Sequence, residues 1–162
     1  MMMRVSGCAD DSIVDGPGIR FVVFAQGCPH QCAGCHNPHT HDFDGGYEAD
    51  TADLITRLRQ NPLLDGLTLS GGEPFAQPKA CAELARAARD AGLNVWVYSG
   101  YTLEELIAMR SEDADALLDA CDVLVDGRFI QERRTLDMPF AGSGNQRVID
   151  LRASWRYRKG DY

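Results

Sequence analysis

No stretch of this chain is apolar for long enough to cross a bilayer, and its opening residues, MMMRVSGCAD, hold no apolar targeting segment. These absences predict a cytoplasmic protein with no membrane partner, in a reducing compartment where disulfides are the weakest use for cysteine. Basic residues are also short, with 16 Lys and Arg against 24 Asp and Glu and a net charge of −8. Phosphate binding requires clustered Lys and Arg, so nucleic acid is not expected as a partner. The exception is RASWRYRKG at Arg152 to Gly160, a basic stretch with Trp155 and Tyr157. Most such tails are solvated and frayed, and docking to an acidic partner is the minority reading. No internal repeat, low-complexity run or linker divides the chain. Its 162 residues, 44% of them hydrophobic, suit one compact domain over residues 1–162.

What the chain does have is Cys28, Cys32 and Cys35 in the run GCPHQCAGCHNP, with the spacing Cys-x3-Cys-x2-Cys. That spacing puts three thiolates on one loop, and no nearby cysteine fills a fourth coordination position. Thiolates hold iron-sulfur clusters, and the usual all-protein site supplies four. A site with three leaves one iron open to an outside molecule, which suits chemistry better than electron carriage. Zinc is the rival, because His30, His36, His39 and His41 surround the cysteines and Cys3His is a normal structural zinc set. Zinc sites usually pair two separated arms of ligands, and no second arm appears downstream. On spacing alone a non-catalytic zinc-binding interaction protein stays open as an alternative. Cys81 and Cys121 fall inside a helical pattern and at a strand start, where isolated cysteines are buried small hydrophobes. Cys8 is expected near a mobile, exposed N-terminus.

Apolar runs of strand type alternate with helical patterns along the chain. RFVVFAQ at Arg20 to Gln26 is β-branched and aromatic and leads directly into the cysteine loop. A helix is predicted from Thr51 to Gln60, then a strand at Gly66 to Ser70. The next helix has Pro78 in its first turn and stops at Gly92, the asymmetry of helix ends. A third strand follows at Leu93 to Tyr98. Thr102 and Glu105 form a capping box, a second short helical piece ends near Ala120, and strands are expected at Asp122 to Asp126 and Gln146 to Leu151. This order implies parallel strands joined by right-handed crossovers. A full eight-stranded barrel needs about 250 residues, so the chain can form only part of one.

In a parallel sheet the loops after the strands share one rim, where ligands bind. The cysteine loop follows the first predicted strand, SGGEPF (Ser70 to Phe75) the second, SGY (Ser99 to Tyr101) the third and DGRF (Asp126 to Phe129) the fourth. Gly71 and Gly72 permit a ligand to lie against bare backbone, and Glu73 could accept a hydrogen bond from a ligand ammonium. A tight strand-to-helix turn is the plain alternative for SGGEP, as it is for Gly16 to Gly18 in DGPGIR and for GSGNQR at Gly142 to Arg147.

Together these motifs resemble the radical S-adenosylmethionine enzymes, which combine a Cys-x3-Cys-x2-Cys loop after the first strand with a Gly-Gly-Glu-type motif after the second. Within them the chain is similar to the activating proteins of glycyl radical enzymes, on DGPGIR, CHNP, LSGGEP, SGY, LVDGRF and GSGNQR, and chiefly to those of the anaerobic (class III) ribonucleoside-triphosphate reductase. The resemblance implies an α/β fold, a truncated, partial TIM-like barrel of parallel strands. It implies a 4Fe-4S cluster on Cys28, Cys32 and Cys35, with S-adenosyl-L-methionine on the open iron. It also implies an enzyme whose 5′-deoxyadenosyl radical takes a hydrogen from a glycine of the reductase's large subunit, with a flavodoxin- or ferredoxin-type electron donor. A formate-lyase-type activase is the nearest enzymatic alternative. For cofactor binding the resemblance points to Gly71, Gly72 and Glu73 at the methionine end and to the backbone of Gly34, Cys35 and His36. Ser99 and Asp126 are candidates for the ribose and Arg128 for the carboxylate; an ordinary turn or surface ion pair accounts for each as well. Gly34 stands where much of the superfamily has an aromatic residue, so adenine packing must come from elsewhere.

Overall fold

The computed structural model describes residues 1–30, 32–35, 38–135, 140–153 and 155. Four of the predicted apolar runs lie side by side in parallel. They are β2 (Arg20–Ala25), β4 (Gly66–Gly71), β5 (Asn94–Tyr98) and β6 (Val123–Asp126). The intervening segments supply helices α1 (Thr51–Gln60), α2 (Pro78–Asp90), α3 (Leu103–Ala108) and α4 (Glu112–Ala120), which make the crossovers that parallel strands require. β1 (Met2–Ser12) and β3 (Tyr47–Asp50) pair antiparallel at one edge, and β7 (Arg147–Asp150) pairs antiparallel with β6 at the other. Among the described residues these strands form a seven-stranded sheet of order β3-β1-β2-β4-β5-β6-β7. The architecture is therefore a mixed α/β sheet with a parallel centre. No helix among the described residues is long and apolar enough to cross a membrane.

Helix ends follow the local rules that predict them. Asp50 caps α1 by accepting from Ala52 N–H, and Thr102 and Glu105 close a capping box on α3. Past α2, Gly92 takes φ +81° and lets Leu93 N–H return to the Ala88 carbonyl at 2.9 Å.

Strand alternation separates the two faces of the sheet. Phe21, Val23, Leu67, Leu69, Val95, Val97 and Leu124 join Leu54, Leu84, Leu106 and Leu117 of the helices in one buried cluster. Ser70, Tyr98 and Val125 lie on the opposite side and line a cavity.

Three sequence expectations need correction. Cys8 is not in a mobile terminus, because it belongs to β1 and is half-buried. That strand escapes a pattern search because only Met3 and Val5 are buried apolar residues, and its register shifts twice. The last predicted strand, now β7, is antiparallel. Among the described residues only a short 3-10 turn, Gln131–Arg133, lies between β6 and β7, and an antiparallel partner needs no crossover helix. The start of the basic tail is docked, since Trp155 is buried with its indole N–H donating to Asp119 Oδ1 at 2.7 Å. Arg152 likewise reaches Asp122 Oδ1 at 2.7 Å. Tyr157 and the rest of the tail lie outside the described residues.

Arg20 anchors the DGPGIR segment from the sheet. It is fully buried, and its Nε donates to Thr68 Oγ1 at 2.7 Å, Nη1 to the Pro17 carbonyl at 2.9 Å and Nη2 to the Leu67 carbonyl at 2.9 Å. Its guanidinium also stands over the Trp96 ring, 5.7 Å from the centroid. Burial lowers its pKa to about 10, so it keeps its charge at neutral pH. Arg20→Met would strip two buried acceptors and the Pro17 carbonyl of their donor and is expected to lower stability by about 3 kcal/mol or more. The urea unfolding midpoint measures this, and a loss under about 1 kcal/mol would mean that the guanidinium does not hold the segment.

Candidate active site

The loops that leave β2 and β4 are stitched together by backbone hydrogen bonds. Gly72 N–H donates to the Ala25 carbonyl at 2.7 Å and Glu73 N–H to the Gly27 carbonyl at 2.8 Å. Gly27 N–H and Cys28 N–H in turn reach the carbonyls of Thr40 (2.7 Å) and His41 (3.1 Å), closing the cysteine loop on itself. This crossing explains the paired glycines. Gly71 has φ +93°, and a Cβ there would sit 2.5 Å from Ala25 N; one on Gly72 would sit 2.4 Å from the Gly27 oxygen. Both glycines also face a cavity of about 340 Å³ on the carboxyl side of the sheet.

Cys28, Cys32 and Cys35 line this same cavity, Cys28 buried and the other two half-buried. A turn with Cys35 N–H on the Cys32 carbonyl at 3.2 Å brings the last two onto one arc. None of the six cysteines forms a disulfide. Among the described residues no three His, Cys, Asp or Glu side chains converge closely enough to hold one metal ion. A zinc site needs all its ligands within about 2.0–2.3 Å of a single centre. A cluster takes its thiolates on separate irons and so asks for sulfurs spread around a wall, with the remaining iron facing open space. The donor set and the cavity fit the cluster.

His30, between the first two cysteines, is committed elsewhere than to a metal. Its Nε2 lies 2.7 Å from Glu73 Oε1, and its ring meets Tyr101 edge to face with centroids 4.4 Å apart. Glu73 is fully buried. Its Oε1 also accepts from Gly100 N–H at 2.8 Å, and its Oε2 accepts from Ser99 Oγ at 2.9 Å and Phe75 N–H at 3.1 Å. Four protein donors thus occupy the lone pairs expected to receive a ligand ammonium. The cavity wall at SGGEP is instead Ser70, Gly71 and Gly72.

The other predicted residues divide clearly. Ser99 lines the cavity, as does its neighbour Gly100. Asp126 does not: it is buried, accepts from Leu103 N–H at 2.8 Å at the start of α3, and pairs with Arg147. Arg128 is exposed and forms a two-pronged pair with Glu105 at 3.1 and 3.2 Å, a contact that lowers the glutamate pKa. Gly34, at φ +73°, packs its bare Cα toward Gln131, whose Cδ would lie 2.9 Å from a Cβ. His36 lies outside the described residues. Cys81 and Cys121 are buried, and desolvation pushes the Cys81 thiol up to about 12 and the Cys121 thiol well above its ordinary value, so neither is a nucleophile.

The far wall comes partly from the motifs DGPGIR, DGRF and GSGNQR and partly from residues that composition and spacing left unread. Val14 and Asp15 of the DGPGIR region, Tyr98, Phe129, Phe140 and Gln146 complete it. Burial raises the Tyr98 phenol above its ordinary value and keeps it a hydrogen-bond donor. Gln146 accepts from the N–H groups of Gly142 (2.8 Å) and Ser143 (3.1 Å) and donates to the Gly127 carbonyl (3.0 Å), which ties GSGNQR to the loop after β6. Strand alternation places Tyr98 on this face once the helix side of β5 is known. Phe129 and Gln146 belong to DGRF and GSGNQR, whereas Val14 and Phe140 carried no such signal.

Gly72→Ala puts a methyl group into the Gly27 carbonyl. The expected cost is about 1–3 kcal/mol, with reduced iron uptake on anaerobic reconstitution. Unchanged melting and iron content in this variant would contradict the close crossing.

The 4Fe-4S single cluster domain family matches residues 14–149. The anaerobic ribonucleoside-triphosphate reductase-activating protein of Vibrio cholerae serotype O1 is 38% identical over 146 residues, covering 83% of this chain and 89% of that protein. The pyruvate formate-lyase-activating enzyme of Clostridium pasteurianum is 38% identical over 133 residues, covering 78% of this chain and 56% of that protein. Among solved structures, QueE from Escherichia coli aligns with a TM-score of 0.46 and 19% identity over 63% of this chain and 54% of that one. Cysteines on a cavity wall and near full-length likeness agree, and the chain belongs to the radical S-adenosylmethionine family of anaerobic ribonucleoside-triphosphate reductase-activating proteins.

Proposed function

We propose that this protein activates an anaerobic ribonucleoside-triphosphate reductase by installing a glycyl radical. The observation that carries the reading is the meeting of Cys28, Cys32, Cys35, Gly71 and Gly72 on one cavity at the ends of parallel strands. When bound, a 4Fe-4S cluster with S-adenosyl-L-methionine on its open iron would supply an electron for reductive cleavage to methionine and a 5′-deoxyadenosyl radical, which abstracts a hydrogen from a glycine of the partner. The three thiolates would hold the cluster. The backbone at Ser70 to Gly72 would orient the cofactor, while Ser99 holds Glu73 and Asp126 and Arg128 hold the surrounding loops. Tyr98, Phe129 and Phe140 would restrict water at the reacting end. The sheet then acts as a truncated barrel whose open side admits the partner's glycine segment.

A formate-lyase partner is the second reading, supported by the likeness to the Clostridium enzyme. Coverage favours the reductase, because this chain spans 89% of the Vibrio relative and 56% of the Clostridium one. A flavodoxin- or ferredoxin-type donor in the cytoplasm completes the scheme.

Anaerobic reconstitution is expected to give about four iron and four sulfide per chain. The paramagnetic resonance signal of the reduced protein should change on adding S-adenosyl-L-methionine, with 5′-deoxyadenosine formed. Cys28→Ser should lose the signal and the product. Stoichiometric zinc without sulfide in the parent protein would overturn the reading. Ile13, 73% exposed beside Val14 of the cavity wall, is a contact for the partner. Ile13→Ser should raise the reductase concentration needed for half-maximal glycyl radical by about fivefold and leave uncoupled cofactor cleavage unchanged. An unchanged requirement would remove Ile13 from the interface.

A further inference from the structure

We propose that His30 is a positioning residue, a latch that pins the cysteine loop to the rim at its own position before iron arrives. The inference rests on reading this loop as a cluster loop. His30 stands two positions from each of the two cysteines, and its side chain, 4% exposed, is fixed from three sides. Nε2 donates to Glu73 Oε1 at 2.7 Å, and the ring meets Tyr101 edge to face at 77°. The third side is Gly100, where a Cβ would lie 2.3 Å from His30 Cδ2. The glycine of SGY is therefore the space into which the ring fits. Gly100 N–H also donates to Oε1 at 2.8 Å, so ring and turn share one acceptor. A hydrogen bond to a buried carboxylate is among the strong ones. It is anchored on the sheet side by Ser99 and Phe75, which hold Oε2. A loop that must present three thiolates loses less conformational freedom on loading if its middle is already held.

The test compares the parent full-length chain with His30→Leu, which keeps bulk but removes the N–H, and His30→Gln, which keeps an amide donor. Each is made metal-free and reduced, and the alkylation rate of every cysteine is followed by mass spectrometry. In His30→Leu, Cys28 and Cys32 should react about tenfold faster, the ratio that losing one charge-assisted hydrogen bond produces in an opening equilibrium. His30→Gln should stay near the parent, and Cys81 and Cys121 should stay protected in all three. Iron loss from the reconstituted proteins to a chelator should follow the same order. Identical rates in parent and His30→Leu overturn the latch, as does equal acceleration in both variants. If His30→Leu also exposes Cys81 and Cys121, the decision passes to Gly100→Ala, which crowds the ring. Gly100→Ala must then open Cys28 and Cys32 alone, and opening of all sites by it overturns the proposal. A parent chain that binds zinc and no sulfide overturns the cluster reading and the purpose assigned to the latch, whereas unchanged alkylation overturns the latch alone.

Discussion

The buried carboxylate of Glu73 holds the rim together. It accepts from its own loop through Phe75, from the loop after β5 through Ser99 and Gly100, and from the cysteine loop through His30. Three loops that belong to three different strands therefore meet on two oxygen atoms. A charge buried without partners would be very costly, and a half-satisfied one nearly as bad, so the arrangement works only when all the donors are present. That requirement makes the rim cooperative. A cofactor resting on Gly71 and Gly72 would lean on a wall whose shape is set by Glu73 from behind.

The sheet supports this rim by keeping its two faces distinct. Leucines, valines and phenylalanine on one face give the helices a continuous apolar layer, which leaves the other face free to be lined by Ser70, Tyr98 and Val125. Arg20 and Trp96 pack together outside the cavity lining, the guanidinium over the ring and hydrogen-bonded to β4 and the Pro17 turn. Gly16 and Gly66 leave room for the arginine, since a Cβ on either would lie 2.7 or 2.5 Å from Arg20. Thus DGPGIR, chemically mute as a string of letters, is a buried arginine with the room it needs. Thr68 Oγ1 adds a bond to the Asp15 carbonyl at 2.7 Å, so the same anchor sets the cavity residue Asp15.

Much of this was legible in the sequence, and for physical reasons. The parallel centre, α1 from Thr51 to Gln60, the ends of α2 and the capping box on α3 all follow from periodicity and cap chemistry, which are local. The cysteines, Gly71, Gly72 and Ser99 reach one cavity because strand order alone puts their loops on one rim. What could not be read is what depends on distant partners. β1 buries too little to announce itself, and β7 takes its direction from the lack of a crossover helix among the described residues before it. Glu73, Asp126 and Arg128 share a rim with the cysteines but turn toward Ser99, Arg147 and Glu105. Residue type and strand-end position are the same for a ligand-binding acid and a loop-holding one. Only the count of donors around the oxygens separates them.

Gly34 illustrates how such a site tolerates the loss of a side chain that relatives in the wider superfamily use. At φ +73° the residue sits in a region that a large aromatic enters only with strain, and Gln131 occupies the space where its side chain would begin. Aromatic surface in this cavity comes instead from Tyr98, Phe129 and Phe140, with Phe140 held edge to face against Trp96 at 5.1 Å. Phe129 and Phe140 belong to the segment after β6, which Gln146 and Asn145 fasten back to Gly127 and Arg128 by hydrogen bonds of 3.0 and 2.9 Å. The aromatic surface of the cavity therefore lies across the rim from the cysteine loop. Between the first two thiols, among the described residues, the His30 side chain is buried and holds the loop to Glu73.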